Sequence, residues 1–170
     1  MPVVVVIPPD PVVSAQEARD VRIFTDADDD DYVDLLLEIA QSEIEAPGWF
    51  GRAIGEQVLQ IELPAWCEVD LKSLPFPPFI SIVSEVVSDD GQTRTVQWNA
   101  GWPIDEVPKA IKHAIILMAG TLRDATPDEG GFLRKKTVEG VGSREYTLPD
   151  GAADAMKATA ERLLMRWRIW

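Results

Sequence analysis

The sequence predicts an α+β fold with three to four helices and a small antiparallel β unit around residues 56–98. Three observations point to it. Apolar residues recur three and four apart over about 29–46 and about 107–123, the spacing of a helix with one buried face. Between those segments, Gln57-Val58-Leu59-Gln60-Ile61-Glu62-Leu63 alternates with the period of a strand. Finally, Ile80 to Val87 and Thr93 to Trp98 flank Asp89-Asp90-Gly91, a hairpin signal.

Residues 1–13 read as an extended arm. Pro2, Pro8, Pro9 and Pro11 deny it helix, and Val3 to Ile7 has strong strand propensity. Such an arm either adds a strand to a neighbouring subunit or packs on its own core. Ser14 and Glu17 make an S-x-x-E capping box that opens a short helix to about Val21. The acidic run Asp28 to Asp31 then stands where negative charge offsets the positive end of the next helix. Val33, Leu36, Leu37, Ala40 and Ile44 form that helix's buried face, and Pro47-Gly48 stops it.

After the Gln57 to Leu63 strand, Glu68 to Leu71 is a candidate for another. Leu74-Pro75-Phe76-Pro77-Pro78-Phe79 is a corner whose prolines belong at an edge or in turns. Gly101-Trp102-Pro103 ends the β unit. Val107, Ile111, Ala114, Ile115, Met118 and Leu122 form the stripe of the second main helix, with Pro108 suited to its first turn. Residues 125–149, with Gly130, Gly131, Gly140 and Gly142 among charges, read as a flexible loop or a long hairpin. The length of this segment suggests contact with a neighbour. The last helix spans about 151–167. The expected organisation is thus an arm (1–13), one domain (14–168) and a C-terminal tail (166–170).

Composition narrows the function. The chain has 170 residues, 26% of them charged, and a net charge of −13. Tight phosphate binding needs Lys and Arg to displace counterions, so a chain this acidic is poorly suited to gripping DNA. Like charge suits a passage through which DNA slides, and it also keeps a monomer soluble. No stretch approaches the roughly 20 apolar residues of a membrane span, and the N-terminus lacks the basic region of a signal peptide. The single cysteine, Cys67, permits no intrachain disulfide, which fits synthesis in a reducing cytoplasm. Beside Trp66 it reads as a small apolar filler.

The residues that catalysis needs are nearly missing. The one histidine, His113, lies in a helix beside Lys112, away from the apolar stripe, and reads as a solvated helix residue. No phosphate loop, dinucleotide fingerprint or nucleophile elbow is present. As a calcium loop starting at Asp26, the acidic run fails at position 6 (Asp31 for Gly) and at position 12 (Leu37 for Glu). One His and one Cys are too few for a zinc site. No catalytic residue, cofactor or metal is therefore expected. The basic triplet Arg134-Lys135-Lys136 reads as a loop tip.

The end of the chain is unusual. Arg166-Trp167-Arg168-Ile169-Trp170 places aromatic and arginine residues, the types that dominate interface hot spots, where chains are ordinarily frayed and polar. These residues either dock into another protein or fold back on their own core.

The order of these pieces resembles the head–tail connector, or adaptor, proteins of long-tailed phages and gene transfer agents. The resemblance rests on Glu17 to Ile23, on the helix start Asp28 to Leu36, and on Ile44-Glu45. It continues in Phe50-Gly51-Arg52-Ala53-Ile54, in Leu74 to Val83, in Ala100-Gly101-Trp102 followed by Val107 to Lys112, and in the ending with Leu163-Leu164 and Arg166-Trp167. It covers about residues 14–123 and 152–170. Segment 125–149 and the valine-rich arm match no hallmark of those proteins, and Pro47-Gly48 interrupts a helix that many relatives continue.

The resemblance implies a mainly helical core with an inserted β unit and a non-enzymatic role in a particle neck. Adaptors of this kind form a ring of typically about twelve copies below the portal protein. They bind the portal through their C-terminal segment and receive the stopper or tail on the other side, while DNA passes through the bore as cargo. Carried onto this chain, the portal-docking residues are Leu163, Leu164, Arg166, Trp167, Arg168, Ile169 and Trp170. Charge complementarity between subunits would pair Asp28, Asp29 and Asp30 with Arg134, Lys135 and Lys136 of a neighbour. The alternatives are a stopper or tail-completion ring protein without portal contact and, further off, a small hydrolase using Asp and His113.

Overall fold

The computed structural model describes residues 2–46, 49–67, 69–70, 73–125, 136–138, 142–144 and 152–168. Its elements in chain order are β1 (Val4–Ile7), α1 (Ala15–Asp20), α2 (Asp30–Glu45), β2 (Gln57–Pro64), β3 (Phe79–Val87), β4 (Thr93–Ala100), α3 (Lys109–Ala125), β5 (Lys136–Val138), β6 (Gly142–Arg144) and α4 (Ala152–Met165). Four helices and a four-stranded antiparallel sheet make this an α+β fold, as the sequence predicts.

Local chemistry accounts for the helix boundaries. Ser14 and Glu17 form the complete capping box of α1: the Ser14 hydroxyl accepts from the Glu17 amide, and the Glu17 carboxylate accepts from the Ser14 amide at 3.0 Å. Asp30 and Asp31 occupy the first turn of α2, where they offset the helix dipole. Pro108 stands just ahead of α3, its carbonyl accepting from Ile111 and Lys112. α3 packs against both α2 and α4. Their apolar stripes, with Val12, Val13 and Phe24, build a helical core whose most buried members include Val33, Leu37, Ile44, Ile111 and Ile115.

The sheet has the order β1-β2-β4-β3. Alternation sends Leu59 and Ile61 of β2 and Val96, Trp98 and Ala100 of β4 to one face, where Leu74, Phe76 and Phe79 of the proline-rich corner help cover them as a second apolar cluster. The other face is polar. There the Gln97 amide donates to Gln60 at 2.8 Å, Ser84 donates to Gln97 at 3.2 Å, and Asn99 donates to Ser81 at 3.0 Å. The β3–β4 turn closes with Gly91 at φ +66°, a conformation that favours glycine.

The arm takes the own-chain option: Val4 and Val5 pair with Gln60 and Leu59 of β2. Within residues 125–149, β5 and β6 pair as a short antiparallel hairpin, and the rest lies outside the described residues apart from Ala125. The candidate strand at Glu68 to Leu71 does not form at Val69 and Asp70; its two end residues lie outside the described residues.

These two clusters set different costs. Trp98 is fully buried, so Trp98→Ala is expected to lose about 3–5 kcal/mol of stability. Trp66 is 82% exposed, so Trp66→Ala should stay within about 0.5 kcal/mol of the parent. Urea unfolding of both variants checks the contrast.

Candidate functional site

The C-terminal face is built on α4. Leu164 is buried in the helical core, and Leu163 packs against that core half-buried. The chain then turns: the amides of Trp167 and Arg168 both donate to the Leu164 carbonyl, at 2.8 and 3.1 Å. The turn brings the Trp167 ring edge-on to Trp102, with centroids 6.3 Å apart and planes at 88°. Arg52 Nε donates to the Trp167 carbonyl, so the loop after α2 holds the end of α4. Partial burial of Arg52 lowers its guanidinium pKa.

Outward from this turn stand Met165 and Arg166, both exposed. Arg168 borders a hollow of about 190 Å³ with Trp49, Phe50 and Glu161. Of the seven residues expected to dock, Leu164 lies inside the core and Leu163 and Trp167 pack against it. Arg166 is exposed and Arg168 is half-buried. Ile169 and Trp170 lie outside the described residues.

The acidic run is tied down within its own chain. The Asp28 carboxylate accepts from the Thr25 amide at 2.6 Å and from the Thr25 hydroxyl at 3.0 Å. The Thr25 amide is the main reason its pKa is lowered. Arg19 donates to the Asp28 carbonyl at 2.8 Å and forms an ion pair with Asp30. Asp29 is the exposed N-cap of α2. Arg134 and Lys135 lie outside the described residues, and of Lys136 only the backbone in β5 is described.

His113 is half-buried on α3 in a surface hollow with Glu17, Asp20, Asp105 and Lys112, and the Lys112 ammonium pairs with Glu17 at 3.1 Å. Cys67 is half-buried in the turn leaving β2, its amide donating to the Pro64 carbonyl at 2.9 Å. The two residues thus belong to different layers. Among the described residues no group of three or more His, Cys, Asp or Glu is arranged to hold a metal ion, and no helix is long and apolar enough to cross a membrane.

Sequence reasoning missed the polar joint between helices and sheet. Gln41 and Glu45, one turn apart on α2, face inward. Gln41 Oε1 accepts from the Val12 amide at 3.1 Å. Glu45 accepts from the Ile54 amide at 2.7 Å, from the Gly55 amide at 3.3 Å and from the Gln57 side chain at 3.3 Å. Burial raises the Glu45 pKa, and these donors only partly oppose it. Beside them Gly101, at φ +110°, lies so close to Gly55 that a Cβ would come within 2.0 Å of the Gly55 carbonyl oxygen.

The sequence matches no known protein-family profile and no curated protein. The fold does have solved counterparts. One is a chain in the virion of a native gene transfer agent particle, 16% identical, with a TM-score of 0.66, covering 100% of this chain and 96% of that one. Another is a chain in the neck of an empty gene transfer agent particle, computed with C6 symmetry, also 16% identical, with a TM-score of 0.67 and the same coverage.

Removing the joint has a calculable effect. Glu45→Ala leaves buried Ile54 and Gly55 amides without their acceptor and is expected to cost about 2–4 kcal/mol. Glu45→Gln keeps an acceptor and removes the charge. Because the folded pKa is raised, the penalty of the ionised form is full above that pKa. It is relieved as pH falls through the folded value and gone below the unfolded one. Wild-type stability relative to Glu45→Gln should therefore rise as pH is lowered from neutral. A difference that stays flat in pH-dependent denaturation would refute the raised pKa.

Proposed function

We propose that this chain is a structural subunit of the neck of a phage-like particle: an adaptor that forms a ring, docks on the portal and joins it to the stopper or tail. The observation that carries the reading is the end-to-end fold match to a chain of a gene transfer agent neck. Coverage of 100% and 96% means that helices, β unit and C-terminal helix correspond together and not as a shared fragment. The neck was computed with C6 symmetry, and a ring of about twelve copies is a multiple of that order.

The physical chemistry agrees. A net charge of −13 lets DNA pass a bore without adhering. Portal docking falls to the exposed Met165 and Arg166 and the half-buried Arg168 with the terminal Ile169 and Trp170, since Leu164 is buried in the core and the Trp167 ring packs on Trp102. Guanidinium groups there suit carboxylates on a partner. The exposed acidic residues at the start of α2 and the basic Arg134 to Lys136 segment are the proposed charge contact between neighbouring copies.

The test is to purify intact particles and crosslink their necks. The chain should be found there, crosslinked from its C-terminal residues to the portal protein. A chain ending at Arg168 keeps the Trp167–Trp102 contact, so it should fold with an unchanged melting temperature yet decorate particles at least about tenfold less, a loss of about 1.4 kcal/mol. Normal decoration by that shortened chain would remove the terminal residues from the docking role. Crosslinks only to tail components would assign the chain as a stopper.

A further inference from the structure

Among the described residues, both edges of the four-stranded sheet are unpaired and apolar. Fifteen large apolar side chains are exposed among the described residues, and nine of them lie on β1 and β3, the two outer strands. This concentrates unsatisfied surface at the edges rather than on a face. An open edge presents a row of amide and carbonyl groups that templates another strand. β1 is exposed at all four positions, Val5 at 51% and Ile7 at 56%. β3 passes two register shifts and then runs regularly from Ser84 to Val87, with Val86 59% exposed.

We propose that the β1 edge of one copy pairs with the β3 edge of a second copy, so that the sheet continues from subunit to subunit. Strand direction favours this occupant. All neighbours in the order β1-β2-β4-β3 are antiparallel, so β1 and β3 run in opposite directions. A second copy added in the same orientation therefore meets β3 with an antiparallel β1, and the alternation is unbroken. Such a contact is head-to-tail, the kind that closes rings.

Charge compatibility also favours a copy of this chain. The chain is 26% charged with a strong acidic excess, so two copies repel over most of their surface. Yet residues 2–9 and 73–84 carry no charge, and Glu85 is paired with Arg94 at 2.9 Å. The edges are where like-charged copies can meet.

The area sets the strength. Each such side chain carries on the order of 100 Å² of apolar surface, so about half exposure leaves roughly 450 Å² for one joint, below the ~1,200 Å² of a stable pair. The joint thus holds in assembled or concentrated material and not in a dilute dimer. That it closes a neck ring rests on the proposed function; the pairing itself does not.

Cysteine crosslinking tests it. β1 and β3 of one subunit lie three strand spacings apart, about 14 Å, whereas a disulfide needs Cα atoms within about 7 Å. A bridge between them must therefore join two copies. In a Cys67→Ser background, Val4→Cys is combined with Val86→Cys, both on the Gln60–Gln97 face. As a second pair, Val5→Cys is combined with Ile82→Cys, the two ends of the row Val5–Leu59–Trp98–Ile82. Oxidised at high protein concentration and in particles, at least one double variant should give a ladder of dimers, trimers and larger species, and each single variant dimers at most. Adding Val83→Lys should abolish the ladder without lowering the melting temperature. Dimers only, or no ladder in either material, would overturn the proposal. A ladder from purified protein with the chain absent from particles would uphold the pairing and remove the neck reading.

Discussion

The constraint on which the rest depends is the buried acceptor pair Gln41 and Glu45. Two chain segments bring donors to one turn of α2: the arm brings the Val12 amide, and the entry to β2 brings the Ile54 and Gly55 amides and the Gln57 side chain. Buried amides must find acceptors, and the helix supplies them from its own side chains. A carboxylate is the costly choice here, because burial penalises its charge. It is also the only single side chain that can accept three donors at once without offering a competing proton. The helical core and the sheet each bury their own apolar cluster, so this polar joint, with the Gly55–Gly101 contact beside it, sets how the two layers meet.

That joint explains the placement of the two ends of the chain. The arm is anchored at Val12 and at β1, so its edge is presented in a fixed register with the sheet. The loop that follows the joint carries Arg52, which holds the Trp167 carbonyl, while Trp102, bridged to Gly55, supplies the ring against which Trp167 packs. The C-terminal turn is thus positioned by the same few residues that seat the sheet.

Much of this was legible in the sequence, and the parts that were not share a reason. The Ser14–Glu17 box, the α2 stripe from Val33 to Ile44 and the Asp89-Asp90-Gly91 turn are local signals, each set by residues a few positions apart, and all appear as read. Glu45 was legible as the end of a helix but not as its keystone, because its partners lie nine to twelve residues away, in the aperiodic stretch before β2 and at the first residue of β2. The arm's choice between its own sheet and a neighbour's depended on an edge that only the assembled β2 provides.

Trp167 shows why the end of the chain carried an ambiguous signal. The residue types of a hot spot are also those of a well-packed core, so sequence cannot separate a tail that docks outward from one that folds inward. In the structure the inward use takes Trp167, with Arg166 exposed on one side of it and Arg168 half-buried on the other. A partner that required the Trp167 ring would have to displace it from Trp102, giving up an aromatic contact of about 0.5–1.5 kcal/mol beyond its buried area, together with the Arg52 hydrogen bond. A partner that reads Met165 and Arg166 loses neither. The packing therefore makes Trp167 the residue that holds the C-terminal turn in place, and it leaves Met165 and Arg166 accessible on the turn's outer side.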